Sequence, residues 1–388
     1  MKHKHIIFSP QKNFSHPDFS VGIFSVDTHN TMNSSSLLES VTKTSTNGKA
    51  TELFPESLTF NDISLVPRVV STVRHRTESS PSANFLGAQL QLPLIAAPMP
   101  DVCAGKMASS LSKLGGLGII HRFLTIENQL SEIALVEKRN QLGCAIGVTG
   151  DWKERFEKLY ANGIRMYCLD IANGGNQLVA DSIHWLRKQT KTDPIKIIAG
   201  NVAAAETFTW LAEVGADAIR VGIGNGSICT TSIETGIGQG QVSAIVECVH
   251  AREEKKLSAL IIADGGIRTP GDMSKALALG ADACMLGSAL AGTEESPGEV
   301  IKYRGQLYKR YVGAASFATK MSNDYVEGEE TLVPYKSRVE KVVKRFSDGV
   351  RSSMAYMNAR TLQEFRENVS FVRLTQHSFI ERTPHILS

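Results

Sequence analysis

The chain has 388 residues, 42% of them hydrophobic, and a formal net charge of +3. A chain of this length can bury a large core and suits one barrel-sized domain with a tail, or two domains. Basic residues are scattered and no apolar stretch approaches the length of a membrane span, so we expect neither a nucleic acid nor a membrane as partner.

Residues 1–56 form a leader rich in Ser, Thr, Asn and His, a composition that predicts a flexible segment rather than a packed element. A partner-binding arm is the alternative. The charged start lacks the apolar core of a secretory signal, and without arginine it makes a poor organelle transit peptide. The chain has six cysteines, and their spacing fits neither a disulfide framework nor a zinc site, which indicates reduced thiols. We therefore predict a cytoplasmic protein.

From about residue 57 onward, eight short apolar runs alternate with helix-like stretches. Near-continuous hydrophobic runs are typical of strands in a parallel sheet that is covered on both faces. Eight such repeats predict a (β/α)8 barrel, the TIM barrel, as a single domain over residues 57–388. The predicted strands are residues 94–99, 117–121, 144–149, 166–170, 196–201, 218–222, 260–264 and 283–287.

Helices are predicted between many of these strands, for example over residues 204–214 and 272–279. Each of these two is followed by the same pattern, Gly-Ala-Asp-Ala, in which the glycine ends the helix. A doubly wound sheet is the alternative architecture. It normally shows a glycine-rich phosphate fingerprint early in the chain, and this sequence has none there.

The polar residues that follow the predicted strands converge, because a parallel barrel places the carboxyl ends of all its strands on one face. Glycine-rich turns after strands seven and eight are the usual phosphate-binding site of this fold. Gly266, Gly287 and Ser288 fit that role, with Ser227 reaching in from the sixth loop. The alternative is that these glycines only form tight turns. Asp264 is suited to accept hydrogen bonds from a sugar diol.

Cys229 lies in a glycine-rich loop just past the sixth predicted strand, Gly222-Ile-Gly-Asn-Gly-Ser-Ile-Cys-Thr-Thr-Ser232. Glycines let backbone groups approach a ligand or an ion closely, and the serine and threonines add hydroxyl groups around the thiol. This polar, flexible setting favours a nucleophilic cysteine, whereas a buried structural cysteine is the alternative. The structural role suits most of the other five cysteines.

Together these segments resemble the family of inosine monophosphate dehydrogenases and guanosine monophosphate reductases. The resemblance extends from about residue 57 to the C-terminus, and the thiol loop paired with the Asp-Gly-Gly turn is highly specific. The matching segments are Leu58-Thr-Phe-Asn-Asp-Ile-Ser-Leu-Val-Pro67, Ala96-Ala-Pro-Met99, Ala199-Gly-Asn-Val202, the Cys229 loop, Ala263-Asp-Gly-Gly-Ile-Arg268, Met285-Leu-Gly-Ser288 and Glu327-Gly328.

The resemblance implies a homotetrameric barrel that binds a purine nucleotide. In the family, the residue matching Cys229 attacks C2 of the base, and a nicotinamide cofactor exchanges hydride with that carbon. The implied substrate-binding residues are Met99, Ser227, Asp264, Gly266, Gly287, Ser288, Tyr311 and Gly313. The implied cofactor-binding residues are Arg122, Thr149, Gly150, Asp170 and Asn173, although a surface role for Arg122 is equally open. The carbonyls of Gly224, Gly226 and Cys229 match positions that bind a monovalent cation, K+.

The stretch after the eighth strand separates the two activities of the family. A dehydrogenase must hydrolyse its covalent intermediate, which requires a base to activate water, and the family uses an Arg-Tyr pair on a long flap. Here the 16 residues from Tyr311 to Val326 contain no arginine, and the predicted flap, about residues 311–335, is short. A reductase instead needs a proton donor for departing ammonia. Thr231 and Glu327 match the reductase residues that have this role.

The segment between the second and third strands also favours the reductase. Its 22 residues, 122 to 143, are too few for the inserted CBS domains that many dehydrogenases carry. The sequence therefore favours NADPH-dependent reductive deamination of guanosine monophosphate. Two alternatives stay open: an inosine monophosphate dehydrogenase without CBS domains, and a catalytically idle purine-nucleotide-binding protein whose leader recruits a partner.

Overall fold

The computed structural model describes residues 55–312 and 330–382 of the chain. Nearly all of the leader, residues 1–56, lies outside these ranges, so its flexibility stays a prediction. Three short strands precede the barrel, with a 3₁₀ turn between the first and the second. The strands are β1 (Ile63–Leu65), β2 (Ala83–Phe85) and β3 (Ala88–Leu90), and the turn is Arg76–Glu78.

The β2–β3 hairpin lies at the amino ends of the barrel strands. Its antiparallel register sets Ala83 opposite Leu90, and Phe85 and Leu90 are fully buried. The N–H of Gln91 donates to the carbonyl of Gly115 at 2.8 Å, just before the second barrel strand. This placement keeps the hairpin away from the carboxyl end of the barrel.

Eight parallel strands, β4 to β11, form a closed barrel. They pair in chain order, and Met285 stands opposite Ile95 where β11 meets β4 and the barrel closes. All eight strands overlap the predicted runs, which confirms the (β/α)8 barrel. The strands are β4 (Leu94–Ala96), β5 (Leu117–Ile120), β6 (Leu142–Ile146), β7 (Met166–Asp170), β8 (Lys196–Val202), β9 (Ala218–Val221), β10 (Leu260–Asp264) and β11 (Ala283–Leu286).

Helices alternate with the barrel strands along the chain. Between β5 and β6 the described chain holds one helix and a 3₁₀ turn at Arg139–Gln141, with no inserted domain. None of the helices described is long and apolar enough to cross a membrane. The helices up to the last barrel strand are α1 (Gly105–Lys113), α2 (Ile126–Ala134), α3 (Trp152–Ala161), α4 (Gln177–Gln189), α5 (Ala205–Val214), α6 (Thr231–Thr235), α7 (Gln241–Glu254) and α8 (Pro270–Ala278).

Local signals set the ends of the two helices that the sequence predicted. α5 ends before Gly215, whose φ of 111° suits glycine. α8 begins two residues earlier than predicted, because the Thr269 hydroxyl accepts a hydrogen bond from the N–H of Asp272 and Pro270 occupies the first turn. Gly280, with a φ of 108°, follows the end of α8.

A three-stranded antiparallel sheet follows the last barrel strand, formed by β12 (Val300–Tyr303), β13 (Gln306–Val312) and β14 (Glu330–Pro334). The predicted flap overlaps β13 and β14, but the sheet begins before it, and residues 313–329 lie outside the described ranges. Lys309 anchors the sheet, because its Nζ donates to the carbonyl of Ser296 at 2.6 Å. The last described elements are α9 (Val339–Tyr356), α10 (Leu362–Asn368), β15 (Phe371–Arg373), which pairs with β1, and α11 (Gln376–Glu381).

A buried polar network joins the ends of β5 and β6 to α2 and α3. Arg155 Nη1 donates to Gln129 Oε1 at 2.8 Å, and Gln129 Nε2 donates to the carbonyls of His121 at 3.1 Å and Ala145 at 3.0 Å. The His121 side chain is buried, and its Nδ1 has no hydrogen-bond partner within the described ranges. Burial lowers the pKa of His121 to about 4, because the imidazolium would lose its hydration there.

The pKa of His121 predicts an acid-dependent loss of stability. The unfolded chain takes up a proton near the ordinary pKa of 6.5, whereas the folded chain resists protonation until about pH 4. The free energy of unfolding should therefore be highest above pH 6.5 and decline as the pH falls from 6.5 to 4. His121 accounts for about 2 kcal/mol of the loss between about pH 7 and pH 5. Urea unfolding at both pH values should show a smaller decline for His121→Asn, and equal declines would contradict the assignment.

Gly118 in β5 offers a test of the packing between barrel and helix. A Cβ added at Gly118 would lie 2.5 Å from the Cα and Cβ of Ala108 in α1. We predict that Gly118→Ala lowers the free energy of unfolding by about 1–3 kcal/mol, because the helix must shift.

The control for this variant is Gly271→Ala in α8, where the added Cβ would lie 3.6 Å from Thr269 Oγ1, an ordinary contact. It should be neutral or should raise the free energy of unfolding by up to about 1 kcal/mol. Urea unfolding of both variants measures the difference, and equal effects would contradict the packing described.

Candidate active site

A cavity of about 540 Å³ opens at the carboxyl ends of the barrel strands. The loops after six strands contribute to it together with Asn201 of β8, and Tyr311 of β13 closes one side. This is the end at which barrel enzymes carry their chemistry. Of the residues predicted as site residues, those lining the cavity are Met99, Arg122, Asp170, Gly224, Gly226, Ser227, Cys229, Thr231, Asp264, Gly266, Gly287, Ser288 and Tyr311.

A buried arginine joins the two carboxylates on the floor of the cavity. Arg220, in β9, is 8% exposed. Its Nη1 donates to Asp170 Oδ1 at 2.6 Å, and its Nε donates to Asp264 Oδ2 at 2.9 Å. Burial disfavours its charge, but the carboxylates of Asp264 and Asp170 outweigh this cost and raise the pKa of Arg220. Arg220 is not among the residues predicted from the sequence, because a single arginine in an apolar strand carries no motif.

Asp264 has one oxygen fixed and one available. Asn201 Nδ2 donates to Asp264 Oδ2 at 2.8 Å, so Oδ2 accepts hydrogen bonds from both Asn201 and Arg220. Oδ1 receives no hydrogen bond from the described residues. Since a carboxylate oxygen can accept two hydrogen bonds, Oδ1 is suited to bind a hydroxyl group of a ligand in the cavity.

The loops after β9, β10 and β11 meet in a pocket lined by hydroxyls and amides. Ser227 Oγ lies 2.8 Å from Ser288 Oγ. Within the described ranges, the backbone N–H groups of Ser227, Gly266 and Ser288 donate no hydrogen bond. Backbone amides without a partner, next to serine hydroxyls, are the donors a phosphate group requires. The structure therefore brings together the phosphate-binding residues predicted from three separate loops.

Cys229 is half-buried, whereas the other five cysteines are buried. Burial raises the pKa of each of those five thiols, that of Cys168 to about 12. Cys229 Sγ lies 3.3 Å from Thr231 Oγ1, so a hydroxyl stands beside the thiol inside the cavity. Cys229 is accordingly the cysteine best placed to react with a ligand.

Close packing leaves no room for a side chain at Gly222 in the Cys229 loop. A Cβ at Gly222, where φ is 139°, would lie 2.0 Å from the carbonyl oxygen of Asp264. Asn225 holds the middle of the loop, because its Nδ2 donates to Gln239 O at 2.8 Å and to Gln241 Oε1 at 2.7 Å. The loop therefore has a defined shape set by its neighbours.

Two of the three carbonyls predicted to bind K+, those of Gly224 and Gly226, already accept hydrogen bonds within the loop. Ser232 Oγ donates to Gly224 O at 3.3 Å, and the N–H of Cys229 donates to Gly226 O at 3.2 Å. A carbonyl has two lone pairs, so each retains capacity for one further partner. Across the described ranges, no group of three His, Cys, Asp or Glu side chains could hold a metal ion. The cation site stays a prediction.

Of the residues predicted to bind the cofactor, two line the cavity and three do not. Arg122 and Asp170 line the cavity, and Arg122 Nε lies 3.6 Å from Asp170 Oδ2. Thr149, Gly150 and Asn173 are exposed and do not line it. Asn173 Oδ1 accepts a hydrogen bond from the N–H of Gly175 at 3.0 Å, which stabilises its own turn. A contact of these three residues with a cofactor stays a prediction.

The substrate residues beyond the barrel are only partly described. Tyr311 is buried, its Oη lies 3.9 Å from Met99 Sδ, and burial raises its pKa. Both side chains form one wall of the cavity, beside Gly287. Gly313 and Glu327 lie outside the described residues, and their roles stay predictions.

The exposure of the six cysteines predicts a selective modification. In the native protein, a thiol reagent such as 5,5′-dithiobis(2-nitrobenzoate) should react quickly with Cys229 alone, because reagent access requires an exposed sulfur. The absorbance of the thionitrobenzoate released by the reagent measures the number of thiols that have reacted. Cys229→Ala should remove the fast phase, whereas Cys248→Ala, in buried α7, should retain it. A fast phase that survives Cys229→Ala would contradict the assigned exposure.

Comparison with known proteins places the chain among relatives of similar architecture. Residues 57–385 match the family model described as IMP dehydrogenase / GMP reductase domain. An inosine-5′-monophosphate dehydrogenase of Chlorobaculum tepidum is 41% identical over 264 residues, 64% of this chain and 53% of the relative. The aligned part of the chain thus spans about half of that relative's length. The same enzyme of Borreliella burgdorferi is 31% identical over 396 residues, 85% of this chain and 97% of the relative.

A solved structure is also similar over nearly its full length. It is a cysteine-to-alanine variant of GMP reductase from Trypanosoma brucei in complex with guanosine 5′-monophosphate. The TM-score is 0.80 at 26% sequence identity, and the match covers 87% of this chain and 99% of that one. The chain therefore belongs to the IMP dehydrogenase / GMP reductase family of oxidoreductases.

Proposed function

We propose that this protein is an NADPH-dependent GMP reductase, which converts guanosine monophosphate to inosine monophosphate and ammonia. The observation that carries the proposal is the juxtaposition in one cavity of three features: the half-buried thiol of Cys229, an open carboxylate oxygen on Asp264, and a pocket at Ser227 and Ser288 that combines hydroxyls with free backbone amides. These three features match the base, ribose and phosphate of a nucleotide. The GMP-bound structure of the Trypanosoma brucei relative supports a purine nucleotide as ligand.

The phosphate and the ribose fix the nucleotide in this proposal. Ser227, Ser288 and the amides of Gly266 and Gly287 bind the phosphate, and Asp264 Oδ1 accepts hydrogen bonds from the ribose hydroxyls. Arg220 and Asn201 hold Asp264 through its other oxygen, so the carboxylate is oriented before the ligand arrives. Met99 and Tyr311, with Gly313 beyond the described residues, bound the base.

The chemical steps follow from a thiol placed at C2 of guanine. The thiolate of Cys229 forms a bond to C2, and the amino group leaves as ammonia after it takes a proton, which gives a covalent thioimidate. Thr231, 3.3 Å from the thiol, and Glu327 are assigned to deliver that proton, since a carboxyl group whose pKa is raised by burial can act as an acid. NADPH supplies the hydride to C2, and the carbon–sulfur bond then breaks to release inosine monophosphate and the thiolate.

The lining of the cavity fits a negatively charged cofactor. The Arg122 side chain is 32% exposed and its Nε faces Asp170 Oδ2 at 3.6 Å, and we assign the exposed part of its guanidinium to the extra phosphate of NADPH. We assign Asp170, Asn173 and the Thr149-Gly150 turn to the same cofactor. Gly224, Gly226 and Cys229 are assigned to K+ through their carbonyls. The family resemblance further supports a homotetramer.

IMP dehydrogenase is the second candidate, and one observation favours it. The curated relatives reported above are named inosine-5′-monophosphate dehydrogenase. A dehydrogenase needs a base that activates water on the thioimidate. The segment from Tyr311 to Val326 has no arginine, and its one basic residue is Lys320. This composition supports the reductase.

Absorbance at 340 nm with two substrate pairs tests the proposal. With GMP and NADPH, we expect the absorbance to fall as NADPH is oxidised. With IMP and NAD, we expect no rise. The reverse pattern would establish the dehydrogenase, and tight GMP binding without turnover of either pair would indicate an idle nucleotide-binding protein.

Two variants assign the turnover to the site. Cys229→Ala should lose at least about a thousandfold in kcat, because the covalent route is removed. Cys248→Ala changes a buried cysteine in α7 that does not line the cavity, and it should retain turnover. Equal losses in the two variants would contradict the role of Cys229.

A further inference from the structure

A second cavity, of about 370 Å³, adjoins the predicted phosphate pocket. Four residues of the phosphate-binding loops, Asn225, Gly226, Ser227 and Gly266, line both cavities. The rest of its wall comes from residues 59–61, Gln241 and Arg268. A nucleotide phosphate bound at Ser227 and Gly266 would therefore lie between the two cavities. The nucleoside would occupy the first cavity, and the second cavity would adjoin the phosphate.

Most side-chain donors around the second cavity are already committed to the protein. Asn225 Nδ2 and Gln241 Nε2 donate to carbonyl or amide oxygens at 2.7–2.8 Å. Thr59 Oγ1 donates to Asp62 Oδ2 at 2.7 Å. These groups shape the wall of the cavity, and a ligand there must find its donors elsewhere.

Arg268 is the exception among these side chains. It is exposed, and its Nη2 makes a long hydrogen bond of 3.3 Å to the neutral Asn61 Oδ1. Within the described ranges, no carboxylate lies within ion-pair distance of its guanidinium. The backbone of Arg268 is nevertheless fixed, because its N–H donates to Asp272 Oδ2 at 3.1 Å. A full positive charge on a firmly held residue therefore faces the second cavity without a counter-charge.

Among the described residues, the predicted phosphate pocket consists of Ser227, Gly266, Gly287 and Ser288, so its donors are serine hydroxyls and amides and none of them is cationic. Lys336 Nζ donates to the carbonyls of Ser288 and Ala289, so it is committed to the backbone of the turn. Such a pocket suits one phosphoryl group. A second phosphoryl group attached to the first would add negative charge next to Arg268, whose planar donors bind phosphate oxygens well.

We infer that the second cavity accepts the β-phosphate of a purine nucleoside 5′-diphosphate whose first phosphate occupies the Ser227–Ser288 pocket. Arg268 is the ligand of that β-phosphate. The inference rests on the proposed function, because it uses the same placement of the nucleotide. It follows that guanosine diphosphate competes with guanosine monophosphate for this site, and that Arg268 discriminates between them.

Equilibrium binding by calorimetry tests this inference with GMP and GDP as probes. For the wild type, GDP should bind and should be displaced by GMP. Arg268→Met should weaken GDP binding by at least about tenfold, the loss expected for one charge-assisted hydrogen bond, and should leave GMP binding unchanged. Arg268→Lys should restore part of the GDP affinity. Arg74→Met, an exposed arginine that lines neither cavity, should change neither affinity.

Three results would overturn the inference. GDP could fail to bind where GMP binds, Arg268→Met could weaken both nucleotides equally, or inorganic phosphate could bind beside GMP, which would make the cavity an independent anion site. If GMP itself does not bind to the wild type, the proposed function fails instead. The two failures are therefore distinguishable in the same experiment.

Discussion

The buried guanidinium of Arg220 is the interaction on which the arrangement of the site depends. It contacts Asp170 at the end of β7 and Asp264 at the end of β10, so one charge in β9 fixes two carboxylates that would otherwise repel each other. Removing one member of a buried ionic group leaves an unpaired buried charge, which costs several kcal/mol. The orientations of Asp264, which we propose binds the ribose, and of Asp170, which we propose faces the cofactor, both follow from this one residue.

The second constraint is the packing of three loops around the predicted phosphate pocket. Gly222 must lack a side chain because Asp264 O occupies that space, and Asn225 fastens the Cys229 loop to the start of α7. The thiol, the Ser227–Ser288 hydroxyls and the carboxylate are consequently held in one cavity by the protein's own hydrogen bonds. The same loops form the wall between this cavity and the one that Arg268 faces, which is the basis for the proposed discrimination between one and two phosphates.

Much of the barrel was predictable, because strands buried on both faces give continuous apolar runs whose ends mark the functional face. The convergence of Ser227, Asp264 and Ser288 followed from that topology. Arg220 was not predictable, since its partners lie 50 and 44 residues away in sequence and only the barrel brings them together. The early start of the β12–β14 sheet and the exclusion of Thr149, Gly150 and Asn173 from the cavity lining also depend on loop paths that no local pattern specifies.

We propose that these residues direct Cys229 at C2 of guanine and that the amino group of C2 is expelled. The decisive measurement is of the ammonia released and the NADPH oxidised in one reaction mixture with GMP. We expect the two amounts to be equal throughout the reaction and inosine monophosphate to accumulate with them. Release of no ammonia from GMP, together with NADH formation from IMP and NAD, would contradict this proposal.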